Sequence, residues 1–243
     1  MSPELMLLLF AVFVIAALYS SVGHAGASGY IALMSLLSMS PLMIKPTALS
    51  LNILVASITT WQFYRAGHFS WKLFWPFAIL AVPMAFIGGH LALPTHVFKI
   101  VLGLVLIFSA SRLLINAKQT IVVKEVPRAQ ALVAGGGIGL LSGLTGTGGG
   151  IFLTPLLIFM GWADAKRAAA VSALFVLMNS ISGLAGNFAA TKSLPPYILS
   201  MLIAVALGGA LGAYMGSQRI ESAIIKKLLA VVLLIAGLKL IFT

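Results

Sequence analysis

Residues 142–155 read Ser-Gly-Leu-Thr-Gly-Thr-Gly-Gly-Gly-Ile-Phe-Leu-Thr-Pro, and residues 20–30 read Ser-Ser-Val-Gly-His-Ala-Gly-Ala-Ser-Gly-Tyr. Each run of small residues cuts an apolar stretch into two arms. The first lies between Glu4–Tyr19 and Ser28–Met39, the second between Ala129–Leu141 and Gly149–Met160. A bilayer needs about 20 apolar helical residues, at about 1.5 Å of rise each. The arms of sixteen and twelve residues fall short of that and suit the limbs of a hairpin that dips in and returns. Six further apolar segments are long enough to span: Lys45–Tyr64, Trp71–Leu91, Thr95–Leu114, Lys166–Phe188, Pro195–Gly216 and Glu221–Ile241.

Composition agrees with a membrane chain. Of 243 residues, 61% are apolar and only 8% are charged, against about 25% charged in soluble domains. So few charges cannot cover a water-facing surface, and so apolar a chain cannot stay disordered. Cysteine is absent, which excludes disulfides, iron–sulfur clusters and thiol catalysis. Fifteen Lys and Arg face four Asp and Glu, a net charge of +11. The cations stand singly or in small groups between apolar runs, which fits lipid head groups and an orientation signal rather than nucleic acid. Met1–Leu18 is apolar, but it carries Glu4 and no Lys or Arg, the wrong charge for a cleaved leader.

The chain repeats itself. With Gly29 set on Gly150, an offset of 121, Ser21 meets Ser142, Ala25 meets Gly146 and Lys45 meets Lys166. Ser50 meets Ser172 at 122, and Gly88-Gly89 meets Gly208-Gly209 at 120. Residues 1–116 form the first repeat, 117–128 a polar linker and 129–243 the second repeat. If each broken pair were one kinked crossing, Lys and Arg would divide eight against seven across the membrane. If each is a re-entrant hairpin, every half makes three crossings, the second half is inverted, and the division becomes four against eleven. Positive charge concentrates on the cytoplasmic side. The expected fold is therefore an all-α polytopic membrane protein of two inverted repeats, each a re-entrant helical hairpin plus three transmembrane helices. The linker is cytoplasmic and both termini lie outside.

Unwound backbone at membrane depth is tolerated only where protein or water supplies partners. Breaks at corresponding places in two halves point to a transporter's binding site. The arms Ser28–Met39 and Gly149–Met160 begin at the tips and present free N–H groups and the positive end of the helix dipole. Glycine lets backbone approach an anion closely. Candidate substrate-binding residues are Gly23, His24, Ser28 and Gly29 in the first tip, and Thr145, Gly146, Thr147, Gly148, Gly149 and Gly150 in the second. Asn52 and Asn179 join them as amides inside apolar segments. His24 can donate to an oxyanion or exchange a proton near neutral pH, or serve the turn by bonding a carbonyl. The four acids, Glu4, Glu125, Asp164 and Glu221, all lie near segment ends or in loops, which argues against a cation substrate and a carboxylate metal site. No catalytic residue, metal or cofactor is expected.

The segment Gly146-Thr147-Gly148-Gly149-Gly150-Ile151-Phe152-Leu153-Thr154-Pro155 resembles the glycine-rich motif of the TauE/SafE family of sulfite and organosulfur-anion transporters, and the resemblance extends over nearly the whole chain. The first-half counterpart, Gly23-His24-Ala25-Gly26-Ala27-Ser28-Gly29-Tyr30, departs from that family's run of glycines and carries a histidine. Membership implies a multi-pass inner-membrane transporter of a small anion, such as sulfite, another sulfur oxyanion or an organosulfonate. An anion channel of the same architecture is the alternative. The expected partners are the small anion and the lipid bilayer, and the pattern is compatible with a homo-oligomer.

Overall fold

The computed structural model describes residues 3–37, 39–91 and 124–221 continuously, with single positions at 107 and 111 and scattered ones between 224 and 238. The expected spans Thr95–Leu114 and Glu221–Ile241, and the linker up to residue 123, lie outside the described residues apart from those single positions. Among the described residues the chain forms eight α-helices: α1 (Pro3–Ser21), α2 (Ala27–Leu36), α3 (Pro41–Arg65), α4 (Trp71–His90), α5 (Arg128–Thr145), α6 (Gly150–Phe159), α7 (Ala165–Gly186) and α8 (Ile198–Tyr214). A 3₁₀ turn, Phe188–Ser193, follows α7, and a π turn, Met215–Arg219, ends α8. Among the described residues five helices are long and apolar enough to cross a membrane: α1, α3, α4, α7, and α8 with its π turn. This is a multi-pass all-α membrane protein.

Two arms are longer than their sequence suggests. The serines and threonine taken as breaks continue α1 and α5, because their hydroxyls bond back to the preceding turn. Ser21 Oγ donates to Leu18 O at 2.7 Å, and Thr145 Oγ1 donates to Leu141 O at 2.7 Å. At 19 residues α1 has the length of a crossing. Only α2 and α6, of 10 residues each, are short.

Glycine sets how closely the helices pack. Gly135, Gly139 and Gly143 place one face of α5 directly on the carbonyls of Phe77, Ala81 and Ala85 in α4; a Cβ at any of the three would overlap them. Gly208, Gly212 and Gly216 do the same on the carbonyls of Phe13, Ala17 and Ser21 in α1. Close contact between small residues replaces the hydrophobic drive that lipid does not supply. In both pairs residue numbers rise together, so α5 runs parallel to α4 and α8 parallel to α1. The central pair differs. Leu49 meets Gly183, Asn52 meets Ser180, and Phe63 meets Ala169 and Ala170, so α3 and α7 are antiparallel. Ser182 Oγ ties α7 to α4 by donating to Val82 O at 2.6 Å, next to Pro83, which has no N–H of its own.

Both broken pairs fold back on themselves. Gly29 in α2 lies against Ile15 of α1, and Gly149 lies against Ile138 and Ser142 of α5. The second pair also returns to the level where it began, since Lys124 N–H donates to Gly161 O at 2.8 Å. Cations mark one end of the bundle, where Lys72 meets Glu125 at 3.2 Å and Lys166 Nζ reaches Ser217 O at 3.5 Å. Exposed Trp61, Tyr64, Trp71, Trp75 and Tyr214 ring that end, the pattern of an interfacial aromatic belt. At the other end of α3, Lys45 Nζ donates to Gly89 O at 3.1 Å in the last turn of α4.

Candidate functional site

The two tips are built alike. In the first, α1 stops at Ser21, the chain turns through Gly23 (φ 81°) and Gly26 (φ 98°), and α2 starts at Ala27. In the second, α5 stops at Thr145, the chain turns through Gly146 (φ 74°), Gly148 (φ 79°) and Gly149 (φ 85°), and α6 starts at Gly150. The left-handed caps Gly23 and Gly26 thus match Gly146 and Gly149 at an offset of 123, two positions away from the spacing that aligned Gly29 with Gly150. A side chain at these caps would carry a strain of about 1–2 kcal/mol. Gly149 caps α6 without any side-chain hydrogen bond, so the first amides of that helix have no side-chain acceptor there.

The tips touch each other and line α3 and α7 from near the start of each helix, at Lys45 and Ala169, to its interior, at Asn52, Val176 and Ser180. The His24 ring lies against Gly150, and His24 Nε2 is 2.9 Å from Thr154 Oγ1 on α6. Asn52 Nδ2 donates to Thr147 O and to Ser180 Oγ, both at 3.3 Å. Gly148 is closed in by Val176, Asn52 and Ser180, which leave no room for a Cβ. The Thr145 and Thr147 hydroxyls pair at 2.9 Å. Gly23 seats the first tip on the backbone of Ala169 in α7.

Of the residues expected from sequence, His24, Asn52, Thr147, Gly148 and Gly150 meet at this crossing. Thr145 and Gly149 flank it. Gly146 lies against the stem of Lys45, Gly29 packs on Ile15, and Ser28 Oγ donates to Tyr19 Oη at 3.0 Å. Asn179 is fully buried on α7, next to Ser180 and three residues from Val176. Neither atom of its amide has a protein partner among the described residues, and His24 Nδ1, Asn52 Oδ1 and Ser142 Oγ share that condition. Most buried polar groups in folded proteins are paired; of these unpartnered atoms His24 Nδ1 and Asn52 Oδ1 belong to residues at the crossing, and others stand at Tyr30, Thr47, Thr60, Gln62 and Ser172. Sequence reasoning missed Thr154, Ser180 and Lys45. Thr154 carried a signal, standing one helical turn after Gly150 on the same face.

His24 and Thr154 test how the tips are joined. His24→Ala leaves the buried Thr154 hydroxyl unpaired, at about 1–3 kcal/mol, or about 5 °C in melting temperature. The double variant with Thr154→Val should lose less than the two single variants together, read by thermal unfolding in detergent. Strict additivity would mean that the 2.9 Å contact does not couple the tips.

The family profile described as Sulfite exporter TauE/SafE matches residues 8–240. The chain belongs to the TauE/SafE family. Its TauE/SafE relatives include a protein of Sinorhizobium fredii named "Probable membrane transporter protein y4hK", 45% identical over 247 residues and covering 100% of both chains. No solved structure matches this TauE/SafE chain. Both findings concern membrane transporters, so a lipid bilayer and a small-molecule substrate are this protein's partners.

Proposed function

We propose that this chain is a secondary transporter of a small anion, sulfite or another sulfur oxyanion or an organosulfonate, with the substrate held where the two glycine-rich tips meet. The observation that carries this is the convergence of two unwound tips, running in from opposite ends, on one buried crossing of α3 and α7, where His24 Nδ1 and Asn52 Oδ1 have no partner among the described residues. Neutral amides, hydroxyls and uncapped helix starts bind an oxyanion without the fixed charge that would hold it too long. The acids support an anion as well: Glu4 is in the first turn of α1, Asp164 caps α7, Glu125 is solvated and Glu221 follows α8. None faces the crossing.

The chain reads as inverted repeats, residues 1–116 and 129–243, joined by a cytoplasmic linker at 117–128. Helix directions support this. The antiparallel α3 and α7 are counterparts, and a two-fold axis relating antiparallel neighbours lies across the helices. Matched packing of α4 on α5 and of α1 on α8 fits the same axis. The cation-rich end bearing Lys72, Lys124 and Lys166 would face the cytoplasm of the inner membrane, with both termini outside. Alternating access then exchanges one end's opening for the other's around a fixed site.

Counterflow in proteoliposomes separates this from a channel: liposomes loaded with unlabelled sulfite should accumulate labelled sulfite transiently, which a channel does not do. In the same assay Thr147→Val should lower uptake about 10- to 100-fold, the worth of a hydrogen bond to a charged group, with membrane insertion intact. Full uptake by Thr147→Val would remove the second tip from the binding site.

A further inference from the structure

A groove of about 730 Å³ opens at the cation-rich end, between the start of α4, the segment before α5 and the start of α7. It lies at the bundle's rim, away from the tip crossing. Its polar rim carries Lys72, Lys124, Arg128 and Arg167, with Glu125 as its one carboxylate among the lining residues. Lys72 and Glu125 pair at 3.2 Å, but both side chains are about nine-tenths exposed, so water screens the pair. Arg167 has Asp164 at 3.9 Å, long for an ion pair. Even with Asp164 counted, cations outnumber acids by two. The N-termini of α4, α5 and α7 add their dipoles in the same sense.

The other wall is apolar. Trp75 and Ile79 on α4, one turn apart and more than half exposed, continue from the rim down the lipid-facing side of the helix, opposite Leu132 of α5. Trp71 and Trp75 stack at 5.9 Å between ring centroids, at the level of the belt. A soluble anion would use the cations and have no need of this wall. A molecule with a negative head and hydrocarbon tails uses both, and basic pockets between membrane helices suit such lipids.

We infer that this groove binds an anionic phospholipid, the phosphate among Lys124, Arg128 and Arg167 and an acyl chain along Trp75 and Ile79. The test is native mass spectrometry of the detergent-purified protein titrated with phosphatidylglycerol or phosphatidylcholine of matched chains. Phosphatidylglycerol adducts should form at about tenfold lower lipid concentration, a preference that shrinks as ionic strength rises about tenfold. Lys124→Gln/Arg128→Gln should erase the preference, whereas Arg65→Gln/Arg219→Gln, an equal loss of charge at the same end, should keep it. Retention in both double variants, or loss in both, overturns the assignment. So does a wild-type preference that salt leaves unchanged, which needs no variant to fold. Displacement of the lipid by glycerol phosphate would also overturn it and make the groove a port for soluble anions.

Discussion

Asn179→Leu should abolish sulfite uptake, by about 100-fold, while leaving the protein as stable as before or more so. The opposed signs come from one fact. The amide is fully buried and neither of its polar atoms has a protein partner among the described residues. A buried polar group with no protein partner costs about 1–3 kcal/mol. Leucine shares the branching at Cγ and removes that cost without opening a cavity, so the melting temperature holds or rises. A hydrogen bond from a buried amide to an anion is worth about 1.5–3 kcal/mol, and an amide offering two N–H groups can contribute more than one. Transport of labelled sulfite and thermal unfolding should be measured on the same preparation. A variant that melts several degrees lower yet transports normally would make Asn179 a structural residue.

Gly143→Leu should prevent folding altogether. A Cβ at this position would overlap the Ala85 carbonyl and stand 2.7 Å from the Gly89 amide nitrogen. Both are backbone, so no rotamer change can relieve the clash. Gly183 of α7 sits behind the same residue, 3.5 Å from its Cα when given a side chain of its own, so α5 cannot retreat freely. The result is steric overlap at a three-helix junction, beyond the usual 1–3 kcal/mol of overpacking. The yield of monodisperse protein after detergent extraction should fall more than about tenfold. Gly137 on the same helix has nothing near its Cβ position, and Gly137→Leu should express and purify like the parent. Equal yields from the two variants would mean that α4 and α5 do not meet backbone to backbone.

Much of this was legible in the chain because lipid simplifies the physics. Apolar runs of membrane length had to be helices, and the starts of α4 at Trp71 and of α7 beside Asp164 fell within a residue of their breakers. What misled was the ends of the arms. Ser20, Ser21 and Thr145 read as interruptions by composition, yet hydroxyls that bond back to carbonyls let a helix continue through them. The tip register was misjudged for a related reason: Gly29 and Gly150 look equivalent as letters, but only backbone dihedrals reveal that Gly26 and Gly149 are the matching caps. His24, Asn52 and the triple glycine could be singled out as chemistry-bearing residues inside apolar sequence. Their meeting could not, because it depends on how α3 crosses α7. Thr154 and Ser180 are ordinary residues that acquire importance only through the partners that this crossing gives them.

The seating of α1 on the glycines of α8 bears on how the polypeptide is assembled. The surface that α1 needs emerges from the ribosome about four-fifths of a chain length after α1 itself, so the first helix must wait in the lipid with that face uncovered. Contacts so distant in sequence form slowly. The nascent protein therefore closes the seam between α1 and α8 late, and premature termination before residue 208 should yield a fragment that the cell's membrane quality control treats as an orphan.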